Sequence, residues 1–308
     1  MSDLATELCG VIGVLATPFD ENDWIDTFAI RANVRSSLAF GVSGFLVPAN
    51  AGEIQELSQA ERILVVETVL DEVAGRVPII GGTTARDQQE RLKAARELIS
   101  LGCRAILTQV PYTPGEDEMY QQNILEIVET GPELFMLQEA SDVDTGAPVE
   151  LLAQLHHQID AFEWLKCEVK GRYKKISEIK TKIGDSLKIG TAGQEYIEAL
   201  DRGADAYMPT AFHDLYVLIY KLHRNGQRDK AKEVFYQFLP ILSFFYSHPH
   251  HYFNKKVLVR MGIFPSTRYR INLPPYDTYE EYLADELIEK YMKLSLLLQE
   301  QEEHSLRQ

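Results

Sequence analysis

The sequence is short of cysteine, of basic residues and of long apolar runs, and each shortage removes a class of function. Its three cysteines, Cys9, Cys103 and Cys167 in 308 residues, are too few for a disulfide framework and too far apart for a zinc knuckle. Lysine and arginine number 31 against 46 aspartates and glutamates, a formal net charge of −15. Nucleic acids and anionic membranes are held by clustered cations, so neither is expected as a partner. No apolar run approaches the ~20 residues of a membrane span. No N-terminal stretch has the charged-then-apolar pattern of a secretory signal, so the expectation is a reduced, cytoplasmic protein. No Gly-x-Gly-x-x-Gly follows any candidate strand, which argues against an open dinucleotide-binding sheet.

What is present is alternation. Short apolar, β-branched runs at 11–16, 44–47, 77–81, 105–109, 134–138, 162–168, 187–190 and 204–208 are separated by helical periodicity. Their spacing of roughly thirty residues is that of a βα unit. Eight such units predict an α/β fold closed into a (β/α)8 TIM barrel. From about residue 213 onward only helical periodicity remains. The predicted division is a catalytic barrel over 1–224 and a C-terminal helical extension over 225–308.

Within the sixth strand, Glu163-Trp164-Leu165-Lys166-Cys167-Glu168 carries an ammonium group where an apolar residue is expected. Period-two alternation puts Phe162, Trp164, Lys166 and Glu168 on one face. Among aromatic neighbours an amine loses water and is more easily neutral, and a neutral amine attacks carbonyls to form Schiff bases. A strand-end lysine reaching back to solvent is the plainer alternative. The barrel decides between them, because barrel active sites lie at the C-terminal ends of the strands. There the sequence places Thr17, Asn50, Glu53, Thr83, Thr84, Tyr112, Thr113, Gln138 and Glu139, together with a glycine-bounded loop opening at Gly190.

These motifs, in their order and spacing, resemble the dihydrodipicolinate synthase and N-acetylneuraminate lyase superfamily of Schiff-base aldolases. The likeness is carried by Thr17-Pro18-Phe19, by Gly52-Glu53 with Leu57-Ser58 and Glu61-Arg62, by Gly75-Arg76-Val77-Pro78, by Pro111-Tyr112 and by Lys166. It implies an imine between Lys166 and the carbonyl of pyruvate or another 2-oxo acid, no metal or organic cofactor, and assembly as a homodimer or homotetramer. Asn50, Ala51, Tyr112, Gln138, Gly190 and Thr17 are then substrate-binding candidates.

Departures from the family pattern are equally informative. Where typical members have Gly-Thr-Thr-Gly-Glu, this chain has Ala49-Asn50-Ala51-Gly52-Glu53, and the strand-five tyrosine position falls on Leu137. The usual hydroxyl relay is absent. Gln138 with Lys166-Cys167-Glu168 is instead similar to dehydratases of 2-keto-3-deoxy sugar acids, with Glu168 as the base or else a plain ion-pair partner of Lys166. Condensation of pyruvate with aspartate semialdehyde stands as the alternative activity, and a catalytically silent barrel that binds a 2-oxo acid as the alternative of another class. His248-Pro249-His250-His251 is expected to be a helix connection away from the strand ends. His213 is placed to reach the mouth, and Arg260, Arg268 and Arg270 can do so only if the extension folds back.

Overall fold

A computed structural model describes residues 2–85, 87–141 and 143–306. Eight parallel strands pair in chain order and close on themselves: β1 Gly10–Val14, β2 Gly44–Leu46, β3 Ile79–Gly82, β4 Ala105–Gln109, β5 Leu134–Ser141, β6 Phe162–Val169, β7 Lys188–Thr191 and β8 Ala206–Tyr207. The last contact, Gly10 opposite Ala206, seals β8 to β1. An N-terminal helix, α1 Asp3–Glu7, precedes them. The surrounding helices are α2 Thr27–Phe40, α3 Gln59–Val73, α4 Gln88–Leu101, α5 Asp117–Val128, α6 Val149–Gln158, α7 Arg172–Lys182, α8 Tyr196–Asp201 and α9 His213–Arg224. Three more follow: α10 Arg228–Ser247, α11 His250–Arg260 and α12 Thr278–Leu306. No helix among the described residues is long and apolar enough to cross a membrane.

Local chemistry explains the boundaries. Asp26 and Asp87 cap α2 and α4 by accepting from the backbone amide three residues on, and Ser58 and Glu61 form a reciprocal capping box on α3. The chain leaves α4 at Gly102 with φ 108°, a conformation costly for any residue with a Cβ.

Two apolar layers result. Residues of one parity, among them Ile12, Leu46, Leu107, Met136 and Trp164, fill the barrel. Those of the other parity, such as Phe45, Ile106, Leu137 and Leu165, meet the helices. The helix-facing cluster continues without a break into Phe238, Leu242 and Phe253 of α10 and α11. The short helix α1, which the periodicity did not reveal, plugs the N-terminal end of the barrel with Leu4 and Leu8, and Ala5 O accepts from Trp164 Nε1 at 3.1 Å.

One expectation about β6 is corrected. Phe135 pairs with Phe162 but Met136 pairs with Trp164, so two residues of β6 oppose one step of β5. This bulge turns Phe162 to the helix layer, where its ring meets Phe135 at 5.9 Å. Glu163 turns to α1 and accepts from Ser2 N at 2.6 Å. Beyond the bulge the alternation is regular, and Trp164, Lys166 and Glu168 share the inner face.

A Cβ at Gly82 would lie 2.1 Å from the Pro48 carbonyl oxygen, a backbone atom that cannot step aside. Gly82→Ala should therefore cost roughly 3 kcal/mol, read as a lowered urea midpoint. An unchanged midpoint would show that the β2 and β3 ends can part without penalty.

Candidate active site

Closure brings the C-terminal strand ends to one mouth, where a cavity of about 870 Å³ opens. Lys166 Nζ stands 3.0 Å from Glu168 Oε2, and the same oxygen accepts from Gln138 Nε2 at 2.7 Å. The side chains are 9% and 19% exposed for Lys166 and Glu168, so this cluster sits at the cavity floor with a path to solvent. The strand register makes it: Gln138 lies opposite Lys166, and Ala140 opposite Glu168. Glu168 Oε1 has no protein partner among the described residues.

The intervening residues face the other way. Glu139 and Lys175 form a buried pair at 2.6 Å, with Lys175 also donating to Thr145 O and Ala147 O. This pair anchors the loop after β5 behind the cavity. Leu137, where the family tyrosine would stand, is fully buried in the helix layer.

Asn50 and Ala51 line the cavity from a tight turn, Asn50–Gly52, after β2. Thr17 and Gly190 stand outside the lining and support it. Thr17 Oγ1 donates to Gly52 O at 2.6 Å and pins that turn. Gly190 makes room for Met208, since a Cβ there would lie 2.9 Å from its sulfur. Tyr112 is also outside the mouth: its ring meets Tyr120 edge-on at 5.2 Å and its hydroxyl donates to Asp117 at 2.9 Å. His213 is directed between β1 and α2, with Nδ1 2.8 Å from Ser37 Oγ, and does not reach the cavity.

The helical extension corrects a further expectation, for it does fold over the mouth. His250 and Tyr246 line the cavity, and His251 Nε2 donates to Asn50 O at 3.3 Å. The cause is a buried ion pair. Glu53, held at φ 61° behind the β2 turn, bonds Lys255 of α11, and both side chains are essentially inaccessible. Its second oxygen accepts from Arg270 N and Ile271 N at 2.7 and 3.2 Å. Arg270 itself bonds Asp23 and Glu61, holding the Glu61 carboxyl down to about 2. Arg260 pairs with Glu289, and Arg268 supplies its carbonyl to Lys255. None of these arginines lines the cavity. Among the described residues no three His, Cys, Asp or Glu converge as metal ligands.

Among the cavity residues that the sequence does not single out are Tyr246, Arg172 and Tyr173. Arg172 Nη1 donates to Ala192 O at 2.8 Å, and the Tyr173 hydroxyl donates to Glu195 at 2.6 Å. Arg172 and Tyr173 follow β6 directly, so the strand-end rule could have found them. Tyr246 closes an aromatic run in α10, and only the tertiary path brings it to the mouth.

A closed parallel barrel with an inward lysine and carboxylate at its C-terminal mouth has the build of a barrel enzyme. Residues 7–290 match the model of the dihydrodipicolinate synthetase family, and the chain belongs to that family, whose members are class I aldolases and lyases. It is 26% identical over 287 residues to an L-2-keto-3-deoxyarabonate dehydratase from Azospirillum brasilense, covering 89% of this chain and 92% of that one. It is 24% identical over 247 residues to a 4-hydroxy-tetrahydrodipicolinate synthase from Oceanobacillus iheyensis, covering 78% and 82%. The fold superposes on an N-acetylneuraminate lyase from Fusobacterium nucleatum complexed with pyruvate, with a TM-score of 0.84 at 17% identity over 93% of this chain and 98% of that one.

Breaking the Glu53–Lys255 pair strands a buried charge. Lys255→Met should cost about 3–5 kcal/mol in urea unfolding, and adding Glu53→Gln should recover part of it. Equal stability of the single variant and the wild type would remove the pair as the clamp.

Burial holds His213 down to about 4, below the 6.5 of an ordinary histidine. The unfolded chain then binds the proton more tightly. The stability tied to neutral His213 is present above pH 6.5 and lost as pH falls through about 4. Between pH 7.5 and 4.5 the wild type should lose about 2–3 kcal/mol more than His213→Gln. Parallel urea midpoints for the two would contradict this.

Proposed function

We propose that the chain is a Schiff-base dehydratase of a 2-keto-3-deoxy sugar acid, with Lys166 as nucleophile and Glu168 as the base. The observation that carries this reading is the single carboxylate oxygen shared by Lys166 and Gln138, with an apolar, outward-facing Leu137 in place of a phenol. In the resting pair Glu168 can take the ammonium proton and leave a neutral amine, which adds to the C2 carbonyl; returning that proton to the carbinolamine hydroxyl expels water, gives an iminium ion and leaves Glu168 as a carboxylate again. The iminium withdraws electrons from C3. Glu168, on the same strand face one pleat nearer the mouth, is placed to remove the C3 proton. Expulsion of the C4 hydroxyl and hydrolysis of the imine complete the turnover. The amides of Asn50 and Ala51 open the turn after β2, where no preceding turn can satisfy them, and suit the substrate carboxylate. The Azospirillum dehydratase supports this choice over the longer aligned stretch.

The synthase reading is favoured by the Oceanobacillus relative and is tested in the same assays. Homodimer or homotetramer assembly and a cytoplasmic location belong to this proposal too.

Borohydride treatment with a 2-oxo acid should fix an adduct on Lys166 and none in Lys166→Ala. Glu168→Gln should still trap but dehydrate at least 100-fold more slowly. Absence of any adduct across pyruvate and a panel of 2-keto-3-deoxy acids would end the imine mechanism. Efficient condensation of pyruvate with aspartate semialdehyde would favour the synthase.

A further inference from the structure

Dehydration needs a proton for the departing hydroxyl, and the end of the strand that carries this acid in typical relatives offers Leu137, Gln138, Glu139 and Ser141, whose hydroxyl donates to Asp144. Leu137 is apolar and buried, Gln138 is committed to Glu168, and Glu139 is buried against Lys175. Alcohols are poor acids, and a phenol is the better proton source. Among the described residues two phenols line the cavity, Tyr173 and Tyr246. The Tyr173 proton is engaged by Glu195 at 2.6 Å.

Tyr246 is differently placed. It stands at the C-terminal end of α10, with its ring partly open to the cavity and its hydroxyl enclosed. The hydroxyl accepts from Gly193 N at 3.1 Å and lies against the hydroxyls of Tyr207 and Tyr216. Tyr207 gives its own proton to Gly193 O. Tyr246 Oη therefore has a donor fixed behind it, and its proton is free to turn to Tyr207 Oη or to a group in the cavity. Glu168 is near enough to act on it electrostatically. Burial above all, with the Glu168 charge, pushes the phenol up to about 12 against the lowering effect of the Tyr207 hydrogen bond and the Gly193 amide, so the proton is in place at neutral pH.

Resting on the dehydratase reading, we infer that Tyr246 is the catalytic acid that protonates the C4 hydroxyl as it leaves. After Glu168 takes the C3 proton, the C3–H electrons form the C2–C3 double bond of an enamine on Lys166. The nitrogen lone pair then re-forms the iminium. The C2–C3 electrons shift to C3–C4, and the C4–O bond breaks with its pair on oxygen. Tyr246 Oη supplies one proton to that oxygen, and water departs. The phenolate recovers a proton from Glu168, the one that came from C3, so the cycle closes with no oxidant or reductant.

The test is Tyr246→Phe, which removes one oxygen atom. Borohydride trapping on Lys166 and C3 hydrogen exchange in deuterium oxide should stay within about twofold of the wild type, showing an intact fold and an active base. Dehydration should fall by about 100-fold. A 4-chloro-2-oxo acid, whose chloride leaves without a proton, should restore elimination to near the wild-type rate. Dehydration within a few-fold of wild type in the variant overturns the assignment. So does parallel loss of trapping, exchange and dehydration, which would mark Tyr246 as structural. If the wild type traps and exchanges but dehydrates no keto-deoxy acid, the dehydratase reading fails, and this acid fails with it.

Discussion

The register between β5 and β6 is the constraint on which the mouth depends. In a closed barrel, side chains alternate strictly between the interior and the helices, so a one-residue slip exchanges the two sets. With Gln138 opposite Lys166, the amide, amine and carboxylate meet inside, while Glu139 and Cys167 point outward. The outward set is not idle, because Glu139 finds Lys175 and fixes the loop after β5 behind the cavity. The bulge at Glu163 is part of the same mechanism. It absorbs one residue below the site, directs Glu163 to α1, and starts the productive parity at Trp164.

Much of this could be read from the chain because it is set by local periodicity. The eight strands, their helices and the inward pair of Lys166 and Glu168 follow from alternation and from the strand-end rule. Features set by distant contacts were not legible. Phe162 was assigned to the wrong face because a bulge depends on its partner strand. Helix α1 is too short to show a period, and its apolar side chains gain a purpose only beneath Trp164. The histidines at 250 and 251 read as a remote connection because nothing near them in sequence shows that Lys255 seeks Glu53, two hundred residues away. Tyr112 follows β4 as the family pattern has it, yet its ring finds Tyr120 and its hydroxyl finds Asp117, both on the helix that comes next.

The chain is strongly acidic, yet its mouth is not. Lys166, Lys170 and Arg172 line the cavity beside Glu168 and Glu195, so the carboxylates there are matched by cations. The net charge of −15 is carried by the remaining surface.

The link between Glu53 and Lys255 has a consequence for how such a protein can be rebuilt. Barrels are often treated as scaffolds whose caps may be swapped or trimmed. Here one barrel carboxylate has its counter-charge on α11 and its remaining hydrogen bonds on the backbone at 270 and 271. A foreign cap, or a chain permuted between these segments, must bring an ammonium group to that one buried point or replace Glu53 at the same time. The turn bearing Asn50 and Ala51 would otherwise rest on an unneutralised charge. Recombination of this chain is thereby confined to exchanges that carry both halves together.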